Sequence, residues 1–184
     1  MFSILYKTLR HRQVEDIPRG LSRSTILQAF HQHQQMIRAL YPGSHITATH
    51  PIDSDTTAFS VRNPESDVVT KCSLTSLGDG LGAEIEVGLG MKITCQWTIH
   101  SRNEDEDSKI SSSIAKQTAE NTTTTRRRMT LGSQALNDMY LVEETTFILL
   151  KPFDRWAQSN RDRSKALEHI LVLLGRLESG ETEI

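Results

Sequence analysis

Apolar and polar residues alternate without a break from Ala83 to Ile99. Ala83, Ile85, Val87, Leu89, Met91, Ile93, Cys95, Trp97 and Ile99 are apolar, and every residue between them is polar or glycine. Successive strand residues point to opposite faces. Seventeen positions of this kind therefore predict an antiparallel sheet with one buried and one solvated face. Gly88 and Gly90 predict a bulge or sharp bend that curls the sheet. A curled sheet with a continuous apolar face needs a cover.

Shorter period-two segments precede this run at residues 45–50, 57–62 and 67–77, punctuated by Pro51, Asp53-Ser54-Asp55 and Asn63-Pro64. The GDGLG at residues 78–82 lacks the trailing Lys-Ser/Thr of a phosphate loop and joins strand to strand, so it reads as a hairpin turn. Residues 2–12 form a first strand, with Phe2, Ile4 and Tyr6 on one side and Leu5 and Leu9 on the other. VEDIPRGLS then breaks regular structure through Pro18 and Gly20. Residues 101–128 are Ser/Thr-rich and charge-rich with almost no aromatics, which predicts a flexible insertion. The sheet resumes at 129–135 and, after a turn at Asn137-Asp138, at 139–153.

Two segments have helical period. Ile26, Phe30, His33, Ile37 and Leu40 form one stripe, started by a Ser22 or Ser24 cap and stopped by Pro42-Gly43. The second helix starts after Asp154 and ends before Gly180. Trp156, Asn160, Arg163, Leu167, Ile170, Leu174 and Leu177 form its stripe. Its length is about 24 residues, roughly 36 Å, enough to cross the whole concave face of the sheet.

Length and charge narrow the class. A chain of 184 residues predicts one domain, spanning 1–184, and a net charge of −2 recruits neither nucleic acid nor anionic membrane. The triple arginine at 126–128 has no interleaved aromatics and reads as solvated. Cys72 and Cys95 are too few and too far apart for a disulfide framework or zinc knuckle, and read as buried thiols. MFSILYKTLRHR contains no adequate signal-peptide core, and no later run approaches membrane-spanning length. The expectation is a soluble cytoplasmic protein.

Candidate chemistry is sparse. His31 and His33 lie about 200° apart on a helix and cannot share an ion there, so no metal site is expected. No nucleophile elbow, Cys-His spacing or dinucleotide fingerprint occurs, so no cofactor is expected. Glu143 and Glu144 stand side by side in MYLVEETTFILLKPF, a strand otherwise apolar on both faces. One of them must point at the core. Met139, Leu141, Phe147 and Leu149 share a face with Glu143 and are longer and less branched than the other set, which makes Glu143 the inward candidate. A desolvated carboxyl can hold a proton near neutrality and act as general acid or base. The competing role is an ion pair, for instance with Arg163. His100 and Tyr140 are candidate proton-transfer partners.

The order strand, helix, meandering strands, long helix resembles the helix-grip fold of START-like (SRPBCC) proteins, which include birch-pollen allergens and polyketide aromatases and cyclases. The HQHQQMI of the first helix, the LVEET of the last strand and KPFDRWAQSNRDRSKALEHIL are more narrowly similar to an uncharacterised fungal branch of that group. The resemblance implies an α+β fold with a curved antiparallel sheet wrapped around the C-terminal helix. It also implies a cavity between them for a hydrophobic small molecule. Suitable walls are Met91, Trp97, Tyr140, Leu141 and Phe147 on strands, with Trp156 and Ile170 on the helix. The first helical region holds one helix where many members have two. Aromatics make up only 5% of the chain, a low share for a cavity built on stacking. Three functions remain open. One is a cofactor-free cyclase or isomerase of secondary metabolism using Glu143, another a non-catalytic lipid or hydrophobic-ligand carrier, and the third a packed interaction module. Oligomeric state is not set by the sequence.

Overall fold

The computed structural model describes residues 6–65, 68–102, 139–150, 152 and 165–181. The chain enters through β1 (Tyr6–Asp16) and passes through α1 (Arg23–His31) and α2 (His33–Leu40). It then runs back and forth through β2 (His45–Pro51), β3 (Thr56–Arg62), β4 (Val69–Leu77), β5 (Gly80–Gly88), β6 (Met91–Ser101) and β7 (Met139–Leu150), and finishes in α3 (Ala166–Glu178). All seven strands form one antiparallel sheet in the order β1-β7-β6-β5-β4-β3-β2. Strands β2 to β7 are a meander, and the first strand of the chain is added beside the last.

The run from Ala83 to Ile99 is two strands rather than one bent strand. They fold back at Leu89-Gly90, whose φ angles of 52° and 73° give the left-handed pair of a type I′ hairpin turn. The register also slips between Glu86 and Gly88, a bulge beside the turn. Cross-strand partners are Ile85 with Ile93, Ala83 with Cys95 and Leu81 with Trp97. Odd residues therefore meet odd residues, so the alternation passes through the turn and hides it. The GDGLG segment is the expected hairpin, with Gly78-Asp79 between β4 and β5. Gly80 is obligatory there, since a Cβ would collide with the Trp97 carbonyl oxygen.

The first helical region is also double. Ser22 caps α1, its hydroxyl accepting from the Thr25 amide at 3.1 Å. The helix stops at Gln32 (φ −84°, ψ 71°), and α2 restarts at His33. No glycine or proline marks this break, so it is tertiary in origin. The His33 ring bridges to the sheet, with Nδ1 3.0 Å from Thr57 Oγ1 and Nε2 3.0 Å from Ser76 Oγ. His31 turns instead to the Leu77 carbonyl, with its Nε2 at 3.1 Å.

Strand β1 continues to Asp16, past the stop expected before Val14. Of the helix expected from Asp154, residues 154–164 lie outside the described residues, as do most of the 101–128 insertion and the strand expected at 129–135. The described part, α3, has 13 residues and so spans about 20 Å. It buries Leu167, Ile170, Leu173 and Leu174, and Gly180 follows it in the left-handed conformation (φ 79°). These residues meet Ile26, Phe30, Met36 and Ile37 of α1 and α2, and Leu74, Leu81, Trp97 and Leu141 of the sheet, in one core. Burying each such side chain is worth about 1.5–3 kcal/mol. The Gly20 amide donates to Glu178 Oε1 at 2.8 Å and fastens the far end of α3 to the loop before α1.

Candidate functional site

On β7, the odd-numbered residues from Met139 to Leu149 face the core and all are buried. Glu143 belongs to this set and is 0% exposed, whereas Glu144 points to solvent, with its Oε1 3.6 Å from Arg12 Nε. The strand pairing places Trp97 of β6 and Gln13 of β1 directly beside Glu143. The Trp97 indole N–H donates to Glu143 Oε2 at 2.8 Å, and the Thr145 hydroxyl donates to Oε1 at 3.1 Å. Both carboxylate oxygens are thus engaged by charge-assisted bonds, the stronger kind of hydrogen bond. Among the described residues Glu143 forms no ion pair, and Arg163, the expected partner, lies outside them.

Thr145 Oγ1 also lies 3.6 Å from Cys95 Sγ. One hydroxyl proton serves one acceptor at a time, and the carboxylate is the better acceptor. Burial pushes the Cys95 thiol up to about 11; the Thr145 hydrogen bond works against that rise, and the nearby Glu143 charge adds to it. Burial alone raises Cys72 to about 11. Only thiolates are good nucleophiles, so both cysteines are inert thiols at neutral pH. The Tyr41 phenol is likewise raised, first by burial and then by the neighbouring Cys72 and Cys95.

These groups surround a cavity of about 390 Å³, within the range of small-molecule sites. Its floor is the inner sheet face: Cys72 and Leu74 on β4, Ala83 and Ile85 on β5, Ile93, Cys95 and Trp97 on β6, and Thr145 and Phe147 on β7. Ile37, Leu40 and Tyr41 close it from α2, and Lys165, Ala166 and His169 from the start of α3. The wall is mainly apolar.

Of the wall residues expected from sequence, Trp97 and Phe147 line this cavity. Met91 packs with Phe147 and Leu149 in a small separate cluster, while Leu141 and Ile170 are sealed in the main core; none of the three lines the cavity. Tyr140 is on the outer face, because its even position on β7 points away from the core. There it stacks on His100, the ring centroids 5.3 Å apart, and so neither residue is placed to exchange a proton with Glu143. Trp156 lies outside the described residues. Glu143 itself stands behind the wall and meets the cavity only through Trp97 and Thr145.

Sequence reasoning missed Tyr41, Thr145, Lys165 and His169. Inward parity on β7 marks Thr145 as surely as Glu143, and Lys165 and His169 are spaced i, i+4 beside the apolar stripe of α3. Among the described residues no three His, Cys, Asp or Glu side chains converge to hold a metal ion, and no helix is long and apolar enough to cross a membrane.

No protein-family model matches the sequence, and no curated protein matches it. Solved structures do match. Ara h 8.0201 superposes with a TM-score of 0.50 at 6% identity, over 91% of this chain and 98% of that one. A putative uncharacterised protein from Rhizobium leguminosarum gives 0.52 at 6% identity, over 94% and 99%. DR_A0006 from Deinococcus radiodurans gives 0.48 at 11% identity, over 94% and 99%. At such identities the likeness carries the course of the backbone and nothing about chemistry. That course is an open curved antiparallel sheet closed by a C-terminal helix, and the chain has the helix-grip α+β fold.

Proposed function

We propose that this chain binds an apolar small molecule in the cavity between its curved sheet and helices α2 and α3. The observation that carries the reading is the cavity itself, about 390 Å³ walled by Leu, Ile, Trp and Phe side chains where a fully packed core would leave none. The helix-grip fold supports it. Native mass spectrometry of the purified protein, followed by solvent extraction, tests it. One apolar molecule at near one-to-one stoichiometry is expected. A clean apo mass after exposure to a broad lipid and polyketide library would sink the reading and leave an interaction module.

A second reading is a cofactor-free cyclase or isomerase acting on a carbonyl-bearing molecule in secondary metabolism, an activity found among the START-like proteins the sequence resembles. One observation favours it: Thr145 touches both the cavity and Glu143, so its hydroxyl can give its proton to the carboxylate while taking one from a bound molecule. Carriage is the better supported of the two, because Glu143 is not on the wall and both its oxygens are occupied. Once a ligand is known, Glu143→Gln decides between them: lost turnover with intact binding supports the enzyme, and ligand recovered unchanged from the wild type supports the carrier.

A further inference from the structure

We propose that the molecule bound in this cavity is an anionic amphiphile, a monocarboxylate on an apolar body, with its head at Lys165 and His169 and its body against Trp97 and Phe147. This rests on the binding reading above and adds the charge and orientation of the ligand.

Among the described residues the cavity wall contains no aspartate or glutamate. Among them the sheet side carries only neutral groups, and the side chains that can bear positive charge, Lys165 and His169, both come from the start of α3. Residues at i and i+4 share a helix face, so the two cationic-capable groups lie together on the α3 side of a mainly apolar space. Among the described residues neither forms an ion pair. The His169 Nδ1 is buried and makes no hydrogen bond among them. A buried polar atom without a partner costs free energy, and a ligand oxygen accepting from it removes that cost. Lys165 lines the cavity and is exposed, so its ammonium keeps its hydration until a ligand arrives.

The β7 side of the cavity has the opposite preference. Behind Trp97 and Thr145 stands the Glu143 carboxylate, which repels a second anion across a thin wall. A carboxylate ligand is therefore attracted at α3 and repelled at β7, so it enters tail first. A neutral alcohol of the same shape can accept one hydrogen bond from His169 but gains nothing from the positive charge.

The test compares dodecanoate with 1-dodecanol, both below their aggregation limits, by isothermal titration calorimetry at pH 7. Wild-type protein is set against Lys165→Gln, His169→Gln and the double variant. Lys165 is exposed, so its substitution leaves the fold intact even where His169→Gln disturbs packing; thermal melts of each variant check this. The acid is expected to bind the wild type about tenfold more tightly than the alcohol. That preference falls to about threefold or less in the double variant, because affinity for the acid falls more than affinity for the alcohol. Equal affinities in the wild type, or a preference for acid that survives both substitutions, would overturn the proposal and leave apolar binding standing. Failure of both probes to bind would count against the cavity reading itself.

Discussion

Replacing Glu143 by leucine removes the acceptor for two buried donors, the Trp97 indole N–H and the Thr145 hydroxyl. A donor left buried without a partner costs about 1–3 kcal/mol. The Trp97 N–H has no other acceptor among the described residues and loses the full amount. Thr145 can turn its proton to Cys95 Sγ at 3.6 Å, so its loss is at the lower end. Leucine also relieves the desolvation of a buried charge, which offsets part of the sum. The expected net loss is about 1–3 kcal/mol, a fall in Tm of about 2–12 °C for a domain of this size. Glu143→Gln keeps the shape and both bonds, its amide oxygen accepting from Trp97 and its amide N–H donating to Thr145, and should cost within about 1 kcal/mol. Urea denaturation of the three proteins, followed by far-UV circular dichroism, measures the difference. Leucine as stable as glutamine would refute the view that this carboxylate is held by satisfying those two donors.

Three further outcomes are expected. His33 is held neutral, chiefly by burial and then by the charge of His31, with Asp55 pulling the other way. Its folded pKa thus lies below the unfolded value of about 6.5, so its contribution is complete above pH 6.5 and shrinks as the pH falls from there toward the folded pKa. The urea midpoint should drop over that window in the wild type and drop less in His33→Gln; parallel loss in both would exclude His33 as the source. Leu89 occupies a left-handed turn position and is 72% exposed, so Leu89→Asn should raise stability by about 1 kcal/mol, with an unchanged or lower urea midpoint as the contrary result. Cys72 and Cys95, both raised to about 11, should resist a disulfide reagent at pH 8 until the protein is unfolded; fast labelling of the native state would show an open or activated thiol.

The buried face of the sheet was legible because odd and even positions separate cleanly along β6 and β7. The same parity could have excluded Tyr140 from the wall, since it and Leu141 cannot face the same way. The turn at Leu89-Gly90 was hidden for the opposite reason: partners of like parity keep the pattern going across it, and leucine is not a turn residue. The break at Gln32 left no local mark, because the pull on His33 comes from Thr57 and Ser76, distant in sequence. Glu143 could be aimed inward from β7 alone, but its contact with Trp97 depends on a register between residues 46 apart. Which inward residues border a void and which are sealed, as Leu141 and Ile170 are, depends on the volumes meeting from three helices at once.

Ser101 and Met139 are paired across β6 and β7, so the chain leaves the sheet and rejoins it at adjoining points. Arg102, the next residue in the chain, donates from Nη2 to Asp16 Oδ1 at 2.7 Å. No strand register depends on how much sequence lies between. Residues 103–138 should therefore be exchangeable for a short glycine-containing turn, or for an entire guest domain, with all seven strands still paired in amide-exchange measurements. A reporter spliced there would ride beside the sheet without altering its pairing. Growth of the chain and refinement of the cavity are then separable, and either can proceed without the other.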